Sequence, residues 1–268
     1  MLARRNPWFR LHLMRGSDPG QHGNTCKLCL AQAELRQSHI VPEWCYRPAY
    51  DEKHRALVKS TEFSATKFIQ KGWREFLLCQ NCETLFSKWE SWFCTFWNES
   101  PGLPADMIGK TTEQHLFSMD GVDYAPLKLF HLSILWRASA ANRREFDNVS
   151  LGPYEEKLRH MLLAEDPGPE DHYPIYGIVL TNDDGSVVHE MVSKPQRADI
   201  PRVTVYYFVY AGCEWTYYVT DHPDSLDRCH REVAREMTVR TGKSLRLLVR
   251  PFQDCNTIKI WREQAGSS

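Results

Sequence analysis

The sequence predicts an α+β protein, on three observations. Two Cys-x-x-Cys pairs, Cys26-x-x-Cys29 and Cys79-x-x-Cys82, bracket a short module near the N-terminus. Apolar residues then recur at helical period in three runs between 82 and 165. After the linker "DPGPEDHYP" (166–174), the texture changes to strand-like runs of β-branched and aromatic residues. These shifts divide the chain into three expected parts. A zinc-binding module with a basic N-terminal segment occupies 1–100, a helical connector 101–170, and an α+β C-terminal part 171–268. Strands gathered apart from helices make the class α+β, with an antiparallel sheet and a helix in the last part.

The elements follow in order. Arg4, Arg5, Arg10 and Arg15 alternate with Trp8, Phe9 and Leu11, and the loop "GSDPGQHGNT" comes after them. This segment reads either as a nucleic-acid contact or as a solvated amphipathic stretch packed on the body. Between the cysteine pairs, "RPAYDEKHRALVKSTEFSATKFIQKG" is polar and mixed in charge, which predicts strand pieces and a surface loop. From Cys82, "CETLFSKWESWFCTFWN" puts Leu85, Phe86, Trp89, Trp92, Phe93, Phe96 and Trp97 on one helical face. A thick core helix accounts for that stripe; a base-stacking platform is the other reading. "NESPGLPAD" ends the helix.

"PLKLFHLSILWRASAA" (126–141) predicts a buried helix opened by Pro126, in which His131 packs and hydrogen-bonds. "GPYEEKLRHMLLAED" predicts an amphipathic helix with Tyr154, Leu158, Met161 and Leu162 on one face. "IYGIVLTND", "SVVHEMV", "RVTVYYFVYA" and "EWTYYVTD" predict four strands. The first two meet at the hairpin signal Asp184-Gly185 and the last two at Ala211-Gly212. "HPDSLDRCHREVAREMTV" predicts a helix, and "SLRLLVR" a last strand.

Composition bounds the function. With 268 residues, 42% hydrophobic and 25% charged, the chain can bury a core, which excludes wholesale disorder. A net charge of −1 excludes a polycation, so nucleic acid has to be met by a local basic patch. No run of about 18 apolar residues occurs, so no transmembrane helix is expected. The basic N-terminus lacks the apolar stretch of a secretory signal. A cytoplasmic protein with no membrane partner is expected. The nine cysteines are an odd number and include two spaced pairs, which argues for metal over disulfides. Cys45, Cys94, Cys213, Cys229 and Cys255 are expected as small apolar side chains.

Four thiolates in two Cys-x-x-Cys pairs suit a tetrahedral zinc ion. The second pair stands at a helix start, whose amides favour thiolates. A shell of four sulfurs leaves no open position, so this zinc is expected to be structural. Together, "CKLC…SHIVP…LLCQNCETLFSK" resembles the zinc-stapled HNH endonucleases, built on the treble-clef or ββα-metal fold. The resemblance covers about residues 24–98. It implies Cys26, Cys29, Cys79 and Cys82 as zinc ligands, His39 as general base, and Glu83 as a ligand of a catalytic Mg²⁺ or Mn²⁺. Phosphodiester hydrolysis needs a base to activate water and a cation to neutralise charge at the phosphate. An imidazole with a pKa near 6.5 suits the base role.

The chain departs from the family's pattern at three positions. Ser38 stands where a carboxylate precedes the histidine, and serine is a poorer ligand for a hard cation. Arg74 stands near the place of the Asn that orients the histidine. A guanidinium can bind phosphate but cannot orient an imidazole as an amide does. Glu83 stands where the family has Asn or His. Glu43 and Glu34 are nearby acids that could replace a lost ligand.

The first function expected is a nuclease hydrolysing DNA phosphodiesters, with the C-terminal part supplying target or protein-partner specificity. The resemblance associates such a chain with phage defence and mobile elements. The alternative is a non-catalytic treble-clef module that binds nucleic acid or a protein partner. A helix N-terminus beside the knuckle offers it a phosphate site. A third reading is an unrelated enzyme in the C-terminal part, using His189, Glu190, Asp221 and His222. Cys229 and His230 point about 100° apart on a helix and cannot form a working pair.

Overall fold

Polar and apolar tracts segregate into a small N-terminal module and a sheet with helices on both faces. The computed structural model describes residues 25–58, 67–99, 116–119, 121–228, 230–231 and 245–266. The basic segment with Arg4, Arg5, Arg10 and Arg15 lies outside the described residues, as do Cys229 and most of the helix expected after His222.

The module holds two antiparallel ladders. Strand β1 (Leu35–His39) pairs with β4 (Arg74–Cys79); Leu35 lies opposite Cys79 and, after a one-residue register shift between Arg36 and Gln37, His39 lies opposite Arg74. The tract between them supplies the expected strand pieces, β2 (Arg55–Val58) paired with β3 (Lys67–Gln70). A turn at Lys71 and Gly72, both with positive φ, leads from β3 into β4. Helix α1 (Gln80–Glu99) follows β4 without a break. Its stripe is core packing: Phe86, Trp89, Phe93 and Trp97 are buried. Phe93 stacks on Phe130 at 4.2 Å, and the Trp97 indole donates to the Ala211 carbonyl at 3.0 Å.

Helix α2 (Tyr124–Ala140) starts two residues before Pro126, because the Asp123 side chain caps it by accepting from the Ala125 amide. It is buried on nearly every side, as a helix between layers must be. His131 is fully buried and shares a hydrogen-bond network with the Tyr210 and Tyr217 hydroxyls, as a packed histidine does. Helix α3 (Pro153–Leu163) opens on Pro153 and packs beside α2.

The remaining strands are β5 (Leu116–Met119), β6 (Ile175–Thr181), β7 (Gln196–Ile200), β8 (Val203–Tyr210), β9 (Cys213–Val219) and β10 (Leu245–Pro251). They form one six-stranded sheet in the order β5-β10-β6-β9-β8-β7. The α+β class holds, but the sheet is mixed, because β10 runs parallel to β6. Ala211 and Gly212 turn β8 into β9 with positive φ at both, the twist a two-residue hairpin favours. The hairpin expected at Asp184-Gly185 forms its turn, yet "SVVHEMV" contributes only an isolated bridge at Val187. Strands β10 and β9 already occupy both sides of β6, so no full ladder is open to it.

Along β6 the side chains alternate between two cores. Ile175 and Val179 join α1 and α2, whereas Tyr176, Ile178 and Leu180 face the other layer. That second layer includes helix α4 (Asn256–Gly266). The buried Glu214 carboxylate on β9 accepts from the amides of Asn256 and Thr257 and so caps α4 from across the sheet. The first core is continuous from Cys26 in the module to Val249 on β10. No helix among the described residues is long and apolar enough to cross a membrane.

Gly72 sits at φ +64°, and a Cβ there would lie 2.5 Å from the Tyr46 ring. Gly72→Ala is therefore expected to cost about 1–3 kcal/mol, read as a lower urea midpoint with an unchanged m-value.

Candidate metal centre and the adjoining histidine

The first cysteine pair sits on a tight turn. The Leu30 amide donates to the Cys26 carbonyl, the Cys26 amide to Ala31, and Leu30 takes a positive φ to close the loop. The Lys27 amide donates to the Leu77 carbonyl and so docks this knuckle on β4. The second pair straddles the junction of β4 and α1. The four sulfurs converge within 4.8 Å of one another, with Cys29 and Cys79 3.8 Å apart.

Zinc bonded to sulfur at about 2.3 Å sets a tetrahedral edge of about 3.8 Å, so the spacing fits. The four thiols could hold a zinc ion, and the donor set is the soft one that zinc takes. Burial pushes the Cys26 and Cys82 thiols up. Burial also pushes at Cys79, but bonds from the Cys82 amide and the neighbouring thiols outweigh it and hold this thiol below its ordinary value. One sulfur thus favours the ionised form that a metal ligand needs. Arg159 on α3 donates to the Leu28 carbonyl at 2.5 Å, and Cys29 is among the groups whose charge acts on it. A cation beside the shell offsets the negative charge that four thiolates bring to a divalent ion.

The β1–β4 ladder carries the rest of the site. Ser38, fully buried, donates its hydroxyl to the Glu83 carboxylate in the first turn of α1. Burial raises the Glu83 pKa, against the Ser38 bond and the charge of Arg137. One residue on, the His39 ring is hydrogen-bonded through Nε2 to the Lys71 carbonyl at 2.8 Å. Burial lowers the His39 pKa below its ordinary 6.5, and the charges of Arg74 and Arg137 act in the same direction. Glu43 opposes them from the exposed turn after Pro42. Arg74 therefore lies beside His39, but the Lys71 carbonyl, not residue 74, orients the imidazole. Glu34 is exposed and pairs with Arg36 at 3.2 Å.

Sequence reasoning missed Arg137. Its guanidinium, 1% exposed, donates to the His39 carbonyl at 2.6 Å and to Glu90 on α1 at 2.7 Å. The one signal in the sequence is a cation inside the otherwise apolar "LFHLSILWR". Among the residues of the C-terminal reading, Glu190 acts electrostatically on His189. Asp221 pairs with Lys157 at 2.5 Å and with His222 at 3.5 Å, while His189 packs beside the Gly212 turn. His230 pairs with Asp227 at 2.8 Å.

Comparison with known proteins found no matching family model, no matching curated protein and no matching solved structure.

Purified protein is expected to carry about one zinc per chain by elemental analysis. Cys79→Ala is expected to lose it, and the amides of β1 and β4 are expected to lose hydrogen-exchange protection together.

Proposed function

We propose that this chain hydrolyses nucleic-acid phosphodiesters, DNA first among them, in the manner of the HNH endonucleases its sequence resembles. His39 is the general base, Glu83 is a ligand of a divalent cation, and the zinc at the four thiolates is a structural staple. The observation that supports this best is the hydrogen bond from His39 to Lys71. A carbonyl only accepts, so Nε2 must carry the proton, a tautomer assigned from its partner. Nδ1 is left as the basic nitrogen. With its pKa held below 6.5, the imidazole is neutral at pH 7 and ready to take a proton from water.

The Ser38–Glu83 contact brings a carboxylate from α1 to the residue that precedes His39 on β1. Glu83 offers a hard oxygen donor, which suits Mg²⁺ or Mn²⁺, ions that keep several of their own waters. Such a cation, when bound, supplies charge neutralisation at the scissile phosphate. Half-buried Arg74, whose charge acts on His39, offers a guanidinium suited to a phosphate backbone. A four-sulfur zinc shell has no open position, so its role is to hold the knuckle against α1.

One observation favours the alternative, a module that binds nucleic acid without cutting it. Ser38 is buried and already bonded to Glu83, where the family has a second acid. Supercoiled plasmid with Mn²⁺ separates the two. Wild-type protein is expected to nick it, EDTA to abolish nicking, and His39→Ala to slow it about 100-fold or more. The rate is expected to be flat between pH 7 and 8 and to fall on a limb below pH 6.5 as His39 gains its proton. Cleavage that survives His39→Ala removes the base assignment. Salt-sensitive binding without cleavage by either protein establishes the binding module.

A further inference from the structure

Three restraints meet at His39. Its ring is held by the Lys71 carbonyl. The next amide, Ile40, donates to the Trp73 carbonyl at 3.0 Å. The carbonyl of His39 itself accepts from Arg137 at 2.6 Å. The first two bonds come from the turn and start of β4, inside the module. The third comes from α2, nearly a hundred residues along the chain.

Arg137 is itself locked. Its Nε donates to the Ser133 carbonyl at 3.2 Å and its Nη2 to the Ser133 hydroxyl at 3.3 Å. Nη1 carries both the His39 and the Glu90 bonds, and the guanidinium lies 5.3 Å from the Phe86 ring. Burying an ion pair is costly, and apolar residues in place of the whole pair commonly serve stability as well or better. The Arg137–Glu90 pair at this place therefore calls for a role that apolar residues could not fill. The planar fork of the guanidinium holds β1, α1 and α2 in one geometry, which a point charge on a flexible stem does not.

We infer that Arg137 is a positioning residue for His39, fixing the peptide at the end of β1 relative to α1, with Glu90 as the carboxylate that holds the guanidinium in place. Neither residue touches substrate. The inference rests on the proposed base role of His39, and it extends the site from the cysteine module into α2.

The test compares wild type with Arg137→Met, Arg137→Lys and Glu90→Gln, each checked for zinc content and a cooperative thermal transition. Two readouts are taken: kcat and KM for nicking of supercoiled plasmid with Mn²⁺, and the imidazole Nε2–H signal of His39 in protein carrying ¹⁵N-labelled histidine. Arg137→Met is expected to keep its zinc and to lower kcat about 100-fold with little change in KM, as a misplaced base does. Its Nε2–H signal is expected to shift and broaden. Arg137→Lys is expected to recover little of either. Should Arg137→Met fail to fold, Glu90→Gln, which preserves volume, is expected to show the same changes in smaller degree. A folded Arg137→Met, or in its place a folded Glu90→Gln, with wild-type kcat and an unmoved signal overturns the inference. If wild-type protein cuts nothing, the nuclease reading fails by itself. The imidazole signal then decides on Arg137 alone: a shift supports the positioning role, and an unmoved signal refutes it.

Discussion

Four thiols drawn within 4.8 Å of one another are the constraint on which the N-terminal half depends. Left as thiols they offer each other only weak hydrogen bonds, and as thiolates they repel. A divalent ion held there would turn that crowding into a bonded shell and tie four points of the chain together: two on the knuckle, one at the end of β4, one in the first turn of α1. The consequence reaches beyond the metal. Because Cys79 pairs with Leu35 across the ladder, fixing Cys79 fixes the start of β1. An irregularity between Arg36 and Gln37 then leaves Leu77 unpaired and shifts the register by one, which sets His39 opposite Arg74, while Ser38 bonds to Glu83.

The module does not rest on its own core. Three arginines from the α2–α3 region each donate to a carbonyl within it: Arg137 to His39, Arg143 to Arg74, and Arg159 to Leu28. The amide of Asn142 adds a bond to the Glu75 carboxylate. A carbonyl at a strand end or in a tight turn has no ladder partner, and a guanidinium with five donors can serve it while keeping its own carboxylate. Arg137 does so with Glu90, Arg143 with Glu145 and Arg159 with Glu156. The apolar core runs on through the same contact, from Leu28 and Leu77 to Phe130 and Trp215.

Buried charge elsewhere follows the same rule. Lys128, with no exposed surface, donates to the carbonyls of His172 and Tyr173, where the chain enters β6. Glu214 accepts the first amides of α4. In each case a charged side chain satisfies backbone groups that secondary structure leaves over, at a junction between elements. Arg137 differs in what its junction carries, since the carbonyl it holds belongs to His39.

The sequence by itself determined the features set by local spacing. The cysteine pairs, the apolar face of α1, the Pro153 start of α3 and the Ala211-Gly212 hairpin could all be read, because each depends on residues within a few positions of one another. Tertiary structure decided the rest. "SVVHEMV" has strand composition but is not a strand, since the neighbouring places beside β6 are already taken. The pairing of β10 parallel to β6 has no local signature, and the carboxylate that caps α4 lies on β9. At the candidate site, the resemblance to the HNH endonucleases marked His39, Ser38 and Glu83. The partners that orient them, the Lys71 carbonyl and the Arg137 guanidinium, were decided only by the fold. A backbone carbonyl carries no residue identity to read, and a cation from a distant helix finds its target only when the core closes.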